Sequence, residues 1–311
     1  MDSFVQRGEP EELFGLLADE TRIEIIQCLQ DEATPLSFSQ LRDAVGMRDS
    51  GQFNYHLEKL VGNFVEKGPE GYRLNQAGKQ VVGAIASGAL TVEGTFEPLT
   101  LDDSCRLCGS TQSLRYEDEA VHIECENCGA TWESHVPPAV LANTEREATP
   151  RVVSRYLYAQ FESITSGFCT YCNGRMDHTV MSLTDSDFDE DEVLPADGED
   201  VNEDDNPPMD IDDFSAVPIV EYDCHQCGGH VSASLDVVLS YRSEVTSFYY
   251  ERDVDPREQF VWSFPRPDYD DIRIRNRDPF RATVTYLADA DSLTLTVDDE
   301  LTVVETEISH E

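Results

Sequence analysis

Between residues 10 and 90 the apolar positions recur with the period of a helix, in segments that stop at recognisable breakers. Glu11 to Ala18 predicts a short helix. Asp19 caps a second, ETRIEIIQCLQ, with Ile23, Ile26 and Leu29, and Ile25 beside them, on its buried side; Thr34-Pro35 ends it. Ser37 or Ser39 opens a third, SFSQLRDAVG, closed by Gly46. In Ser50 to Phe64, SGQFNYHLEKLVGNF, Phe53, Leu57, Leu60 and Phe64 form one apolar stripe at i, i+4, i+7 and i+11. Gln52, Tyr55, His56 and Lys59 form a second stripe turned away from it. Its amide, hydroxyl and cationic groups suit base edges and phosphates in a major groove. Asp49 and Ser50 supply the N-cap, with Arg48 just ahead. Phe64 to Lys67 and Tyr72 to Leu74 then read as two short strands about Gly68-Pro69-Glu70-Gly71. Asn75 caps a last helix, QAGKQVVGAIASGAL. Helices and then a hairpin, in that order, predict a winged helix-turn-helix over residues 1–92, with Lys67 and Arg73 on the wing.

Past residue 92 the pattern changes to strands and turns. TVEGTFEPLTLDDS reads as loosely structured, and SLRYEDEAVHIEC as two strands about Glu117-Asp118-Glu119. These belong to a module over residues 100–137, closed by Pro137-Pro138. A connecting segment, 138–166, holds a helix opened by Thr149-Pro150, with Val152, Tyr156, Ala159 and Ile164 on its buried side. Met176–Leu183, Ile219–Cys224 and Ala233–Leu239 are the strands of a third module, 167–240. In residues 241–311 a helix over Glu244 to Arg252 precedes an antiparallel meander, Ile272–Arg275, Ala282–Leu287, Leu293–Val297 and Leu301–Glu307. The expected fold class is a multidomain α+β chain.

The cysteines give both strand modules a chemistry. Eight of the nine fall in four Cys-x-x-Cys pairs. Cys105, Cys108, Cys125 and Cys128 have 16 residues between the pairs, the spacing of a zinc ribbon in which two knuckles aim four thiolates at one point. Cys169, Cys172, Cys224 and Cys227 repeat the arrangement with 51 residues between the pairs. Closure cost grows only with the logarithm of loop length, so one ribbon can carry that insertion. Disulfides and a redox dithiol are the alternatives; a reducing cytoplasm favours metal, and two structural Zn2+ ions are expected. His178, His225 and His230 lie nearby but are read as bystanders, because four thiolates complete a tetrahedral site. Cys28 reads as a small core residue. Within the insertion, Asp185 to Asp213 has 15 acidic residues in 29 and no basic one, which predicts disorder.

Charge modifies the picture. The formal net charge is −41, and the three lysines, Lys59, Lys67 and Lys79, all lie before residue 80. Residues 1–90 hold 8 Lys+Arg against 14 Asp+Glu, so most of the acid lies beyond them. Few lysines and acid in every segment resemble proteins of salt-loving archaea. In molar salt the Debye length is about 3 Å, so contact-range groups decide binding to an anion. No apolar run approaches the roughly 18 residues of a membrane span, and a cytoplasmic protein without membrane contact is expected.

LLADETRIEIIQCL, FNYHLEKLVGNFVEK and GYRLNQAG resemble the winged-helix domain of ArsR-type archaeal transcriptional regulators, over residues 10–90 or so. By position the likeness assigns Gln52, Asn54, Tyr55, His56 and Lys59 to the DNA-reading helix and Lys67 and Arg73 to the wing. With Arg48 and Ser50 at the helix start, these are the expected DNA contacts. The paired-cysteine metal-sensing motif of some ArsR-type members is missing. The later order of two ribbons, a connecting helix, a Phe-Tyr-Tyr helix and an acidic hairpin resembles the C-terminal region of haloarchaeal ArsR-like regulators. The resemblance implies a homodimer on double-stranded DNA, held through residues 10–18 and 75–89, with the ribbons as scaffold or as docking surfaces for an effector or the transcription machinery. A general transcription factor like archaeal relatives of the TFIIE alpha subunit, which also join a winged helix to a zinc ribbon, is the alternative. An enzyme is not expected: closed four-thiolate sites leave no position for water, and no phosphate loop or nucleophile elbow occurs.

Overall fold

The computed structural model describes residues 9–32, 34–88, 94–105, 108–182, 217–262 and 271–310. The acidic stretch expected to be disordered lies outside the described residues. The chain divides into two compact units, Met1–Glu93 with Pro137–Ala139, and Gly94–Val136 with Val140–Glu311.

In the first unit four helices, α1 (Pro10–Leu17), α2 (Glu20–Gln30), α3 (Phe38–Ala44) and α4 (Ser50–Leu60), precede a hairpin of β1 (Val65–Gly68) and β2 (Gly71–Leu74); α5 (Gln76–Ala86) follows. Caps fix the starts of four of them. Asp19 accepts from the Arg22 N–H, Ser37 and Gln40 form a reciprocal capping box, Asp49 accepts from the Gly51 and Gln52 N–H groups, and Asn75 accepts from Gly78. Ile25, Ile26, Leu41, Phe53, Leu57, Leu60 and Val65 are fully buried. Each such side chain contributes about 1.5–3 kcal/mol by leaving water. Leu36 adds to the hairpin by exchanging two backbone hydrogen bonds with Tyr72, at 3.0 and 2.8 Å. Gly71 makes that approach possible: a Cβ there would lie 2.3 Å from the Leu36 carbonyl oxygen.

Among its described residues the second unit holds three antiparallel sheets. The first runs β3 (Phe96–Ser104), β4 (Thr111–Glu117), β5 (Ala120–Cys125), β6 (Thr131–His135) in chain order, and a short helix, α6 (Pro138–Leu141), follows. The stretch expected to be loose therefore contributes an edge strand, though one paired irregularly, with register shifts between Phe96 and Leu99 and between Thr100 and Ser104. Asp118 and Glu119, both with positive φ, form the two-residue turn between β4 and β5. The long helix α7 (Thr149–Thr165) then serves two cores. Val153 and Leu157 pack with Leu114, Tyr116, Val121, Ile123, Val261 and Trp262, and Ile164 reaches the next one. The expected stripe of this helix is corrected. Val152 and Tyr156 are half-buried and Ala159 is exposed, while Ser154 is buried because its hydroxyl accepts the Val261 N–H at 2.9 Å.

The second sheet is β7 (Met176–Ser182), β8 (Pro218–Cys224), β9 (His230–Ser234). Residues 235–239 do not continue β9 as expected; they form α8 (Leu235–Leu239), buried at every position. A short, wholly apolar run carries no period that separates helix from strand. Helix α9 (Ser243–Tyr250) and a meander of β10 (Ile272–Arg277), β11 (Phe280–Ala288), β12 (Asp291–Val297) and β13 (Val303–His310) complete the unit. Tyr222, Leu235, Phe248, Tyr249, Tyr286 and Leu295 belong to one core, so the second and third sheets share it. Among the described residues no helix is long and apolar enough to cross a membrane.

Candidate metal centres and nucleic-acid interface

Cys105, Cys108, Cys125 and Cys128 converge, as do Cys169, Cys172, Cys224 and Cys227, with the sulfurs of each set within 4.8 Å of one another. In the first set Cys105–Cys128 is 3.7 Å and Cys108–Cys125 is 3.5 Å; in the second Cys169–Cys227 is 3.6 Å and Cys172–Cys224 is 3.4 Å. A disulfide needs about 2.05 Å, and these contacts are far longer. Four thiolates about 2.3 Å from one zinc ion would stand roughly 3.8 Å apart at tetrahedral angles, close to what is seen. The donor sets fit zinc.

One local device builds all four knuckles. The N–H four residues after each first cysteine donates back to that cysteine's carbonyl: Gly109 to Cys105, Gly129 to Cys125, Asn173 to Cys169 and Gly228 to Cys224, at 2.8–3.0 Å. Each first cysteine in turn donates its own N–H five residues on, to Ser110, Ala130, Gly174 and Gly229. The residue closing each turn has positive φ, 71° at Gly109, 70° at Gly129, 57° at Asn173 and 73° at Gly228. Asn173 stands where the other three knuckles have glycine. Asparagine is the next most tolerant of the left-handed region, and that is the signal that finds it.

Hydrogen bonds and burial pull the thiols apart in acidity. The Ser110 side chain holds Cys108 down to about 6, while burial pushes Cys128 up to about 12. In the second set the backbone N–H groups of Cys227 and Gln226 hold Cys224 down to about 6. The lowered thiols give each cluster thiolate character at neutral pH, and the remaining thiols must lose their protons to solvent as a cation binds. The three histidines are occupied elsewhere. His225 contacts Asp177 at 2.7 Å, His230 contacts Asp223 at 3.0 Å, and His178 Nε2 lies 3.3 Å from the Asp299 carbonyl oxygen.

In the first unit, Arg48, Ser50, Gln52, Asn54, Tyr55 and Lys59 are exposed. Tyr55 is 60% exposed, with the Lys59 ammonium 5.8 Å from its ring centre. Glu58 is the one carboxylate on the same exposed face of α4. His56 does not lie there. It is 8% exposed, and its Nδ1 is 3.2 Å from the Asp19 carboxylate that caps α2. Burial alone would raise the Asp19 pKa, but the Arg22 N–H and the nearby His56 and Arg22 charges bring it below the usual value. His56 thus ties α4 to α2 and is withdrawn from the contact set. On the hairpin, Lys67 is exposed, its ammonium 5.3 Å from the Tyr72 ring centre, and Arg73 is paired with Glu66.

No curated protein and no solved structure matches the chain. A family described as a domain of unknown function (DUF7347) matches residues 10–85, the helical first unit. A second family, also described as a domain of unknown function (DUF7351), matches residues 102–303, which hold both cysteine clusters and reach from the first sheet into the third. That match spans more than half of the chain, and the protein belongs to the DUF7351 family.

Proposed function

We propose that the chain is a DNA-binding transcriptional regulator of the ArsR-like winged-helix type, with α4 as its reading helix and two structural zinc ions in its second unit. The observation that carries the reading is the division of α4 into two chemistries. Phe53, His56, Leu57 and Leu60 anchor it, and Ser50, Gln52, Asn54, Tyr55 and Lys59 are left to solvent. Amides that bond base edges and a cation for the phosphates are what a major-groove helix needs. The Asp49 cap and the His56–Asp19 contact hold that face still. On the β1–β2 wing, Lys67 is the better phosphate contact, since Arg73 already has a carboxylate.

A single such module grips little DNA, so two copies acting on a two-fold site complete the proposal. Helices α1 and α5 are the surfaces for that pairing, and Phe14 on α1 is 72% exposed. The protein acts in the cytoplasm, where thiols stay reduced and available to zinc. The test is binding to a pool of random duplexes, with selection of the preferred site. Lys59→Ala should weaken binding to all sequences and lower the salt slope by about 0.9. Gln52→Ala or Asn54→Ala should instead change the selected site, and His56→Ala should lower thermal stability without changing it. A Gln52/Tyr55/Lys59 triple alanine variant that binds and selects like the wild type would falsify the assignment of α4.

A further inference from the structure

The β10–β11 hairpin gathers Arg273, Arg275, Arg277 and Arg281 within nine residues of a chain whose net charge is −41. Asp271 and Asp278 offset half of that charge, and residues 271–281 still carry a surplus of two positive charges. Arg275 and Arg277 are exposed. The contacts that hold the two key side chains are with neutral groups: Arg275 Nε donates to Thr283 Oγ1 at 2.8 Å, and Arg281 Nη1 to the Phe280 carbonyl at 2.6 Å. Neither is paired with a carboxylate among the described residues.

The sheet around them is arranged to suit. Ala282, Val284, Tyr286, Leu293, Leu295 and Val297 point into the core. The alternate positions of β11 and β12 therefore form the opposite face, where Thr283 pairs with Thr296 and Thr285 with Thr294. Thr285 and Thr294 share a hydroxyl contact at 2.9 Å. Besides Asp271 and Asp278 at the ends of β10, acid on this face stands on β13, at Glu305 and Glu307, which pair with Thr296 and Thr294. At about 4.8 Å per strand, β13 is roughly 10 Å from β11, which carries Arg281 and the Thr283 that Arg275 bonds. That exceeds the Debye length of about 8 Å at physiological salt.

We infer that this guanidinium and hydroxyl face is a second nucleic-acid contact, binding the phosphate backbone of duplex DNA without reading sequence. It rests on the DNA-binding reading above. Guanidinium forks and hydroxyls donate to phosphate oxygens. Among the described residues the face offers no aromatic ring on which an unpaired base could stack, which favours the duplex backbone over single strands.

The experiment compares full-length, zinc-loaded wild type with Arg275→Gln/Arg281→Gln, Arg275→Lys/Arg281→Lys and Lys59→Ala. Binding to a labelled mixed-sequence duplex is followed by fluorescence anisotropy over a salt series, with thermal melting as the check on folding. Losing two phosphate contacts should lower the slope of log K against log salt by about 1.8, so the glutamine variant and wild type converge by about 60-fold per tenfold rise in salt. The lysine variant should keep most of the slope. A glutamine variant with wild-type affinity and slope, alongside a weakened Lys59→Ala, overturns this contact and leaves α4 standing. Loss in the glutamine variant with none in Lys59→Ala supports this contact and removes α4. A wild type that binds no duplex overturns both.

Discussion

The two cysteine centres have the same knuckles and different surroundings. The first is closed by neighbouring strands, with 16 residues between its pairs; the second closes across 51. The sulfur distances are nevertheless alike, 3.5–3.7 Å against 3.4–3.6 Å. These distances run between knuckles, so they are set by the strand pairing that brings the knuckles together, β4 with β5 and β7 with β8, and chain length between the pairs hardly enters. What differs is the residue five places after each first cysteine. In the first centre it is Ser110 or Ala130; in the second it is Gly174 or Gly229. At Gly174 a Cβ would stand 3.1 Å from Cys172 Sγ and 3.2 Å from Cys224 Sγ, so the second centre is packed closer to its own backbone. It is also set in a larger core, because Cys169 and Cys224 join the buried cluster that contains β11 and β12.

The largest effect should come from removing a ligand. Structural zinc contributes about 10–16 kcal/mol to folding in small peptides. Cys224→Ser should reduce the ion count from two to one in native mass spectrometry and strip hydrogen-exchange protection from β11 and β12. Cys125→Ser should lose one ion and leave β11 and β12 protected. Equal protection in the two variants would contradict the shared core. Next, Gly174→Ala should cost about 1–3 kcal/mol by chemical denaturation, since metal-held sulfurs cannot give way. The first centre should keep its ion throughout.

Acid should break the comparison in the other direction. Protons compete with the metal for thiolates, so both centres release zinc as pH falls. Ser110→Ala removes the hydroxyl that holds Cys108 near 6, which raises that pKa. Release from the first centre should then move to higher pH, with an affinity loss of about tenfold, read with a chromogenic chelator. An unmoved first centre would show that Ser110 plays no part. The smallest effect belongs to Asn173. Replacement by glycine should change stability by less than about 0.5 kcal/mol, whereas valine, strained at positive φ, should cost about 1–2 kcal/mol.

The cysteine spacing made both centres legible, because ligand chemistry leaves few alternatives to four Cys-x-x-Cys pairs. The caps at Asp19, Asn75 and Asp49 were equally plain, since each is a short polar side chain ahead of a periodic segment. His56 was misread although its signal was present. Phe53, His56, Leu57 and Leu60 stand at i, i+3, i+4 and i+7, so the histidine completes the buried arc, and its polarity suggested the wrong face. Ser154 is the same lesson on α7, a hydroxyl taken inward by a distant backbone N–H. No local signal exists for the α8 turn, because five buried apolar residues fit a strand as well as a helix. The joining of the last two sheets by one core was also invisible, because that core draws its members from Ile164 to Leu301 along the chain.

The β7–β8 ladder begins at Met176 opposite Cys224 and ends at Ser182 opposite Pro218. Seven residues of strand separate that far rung from the sulfurs by about 20 Å. The Ser182–Pro218 end of the ladder is therefore remote from the cysteine cluster. A substitution at the Ser182–Pro218 end should leave the four sulfurs where they are, about 20 Å away.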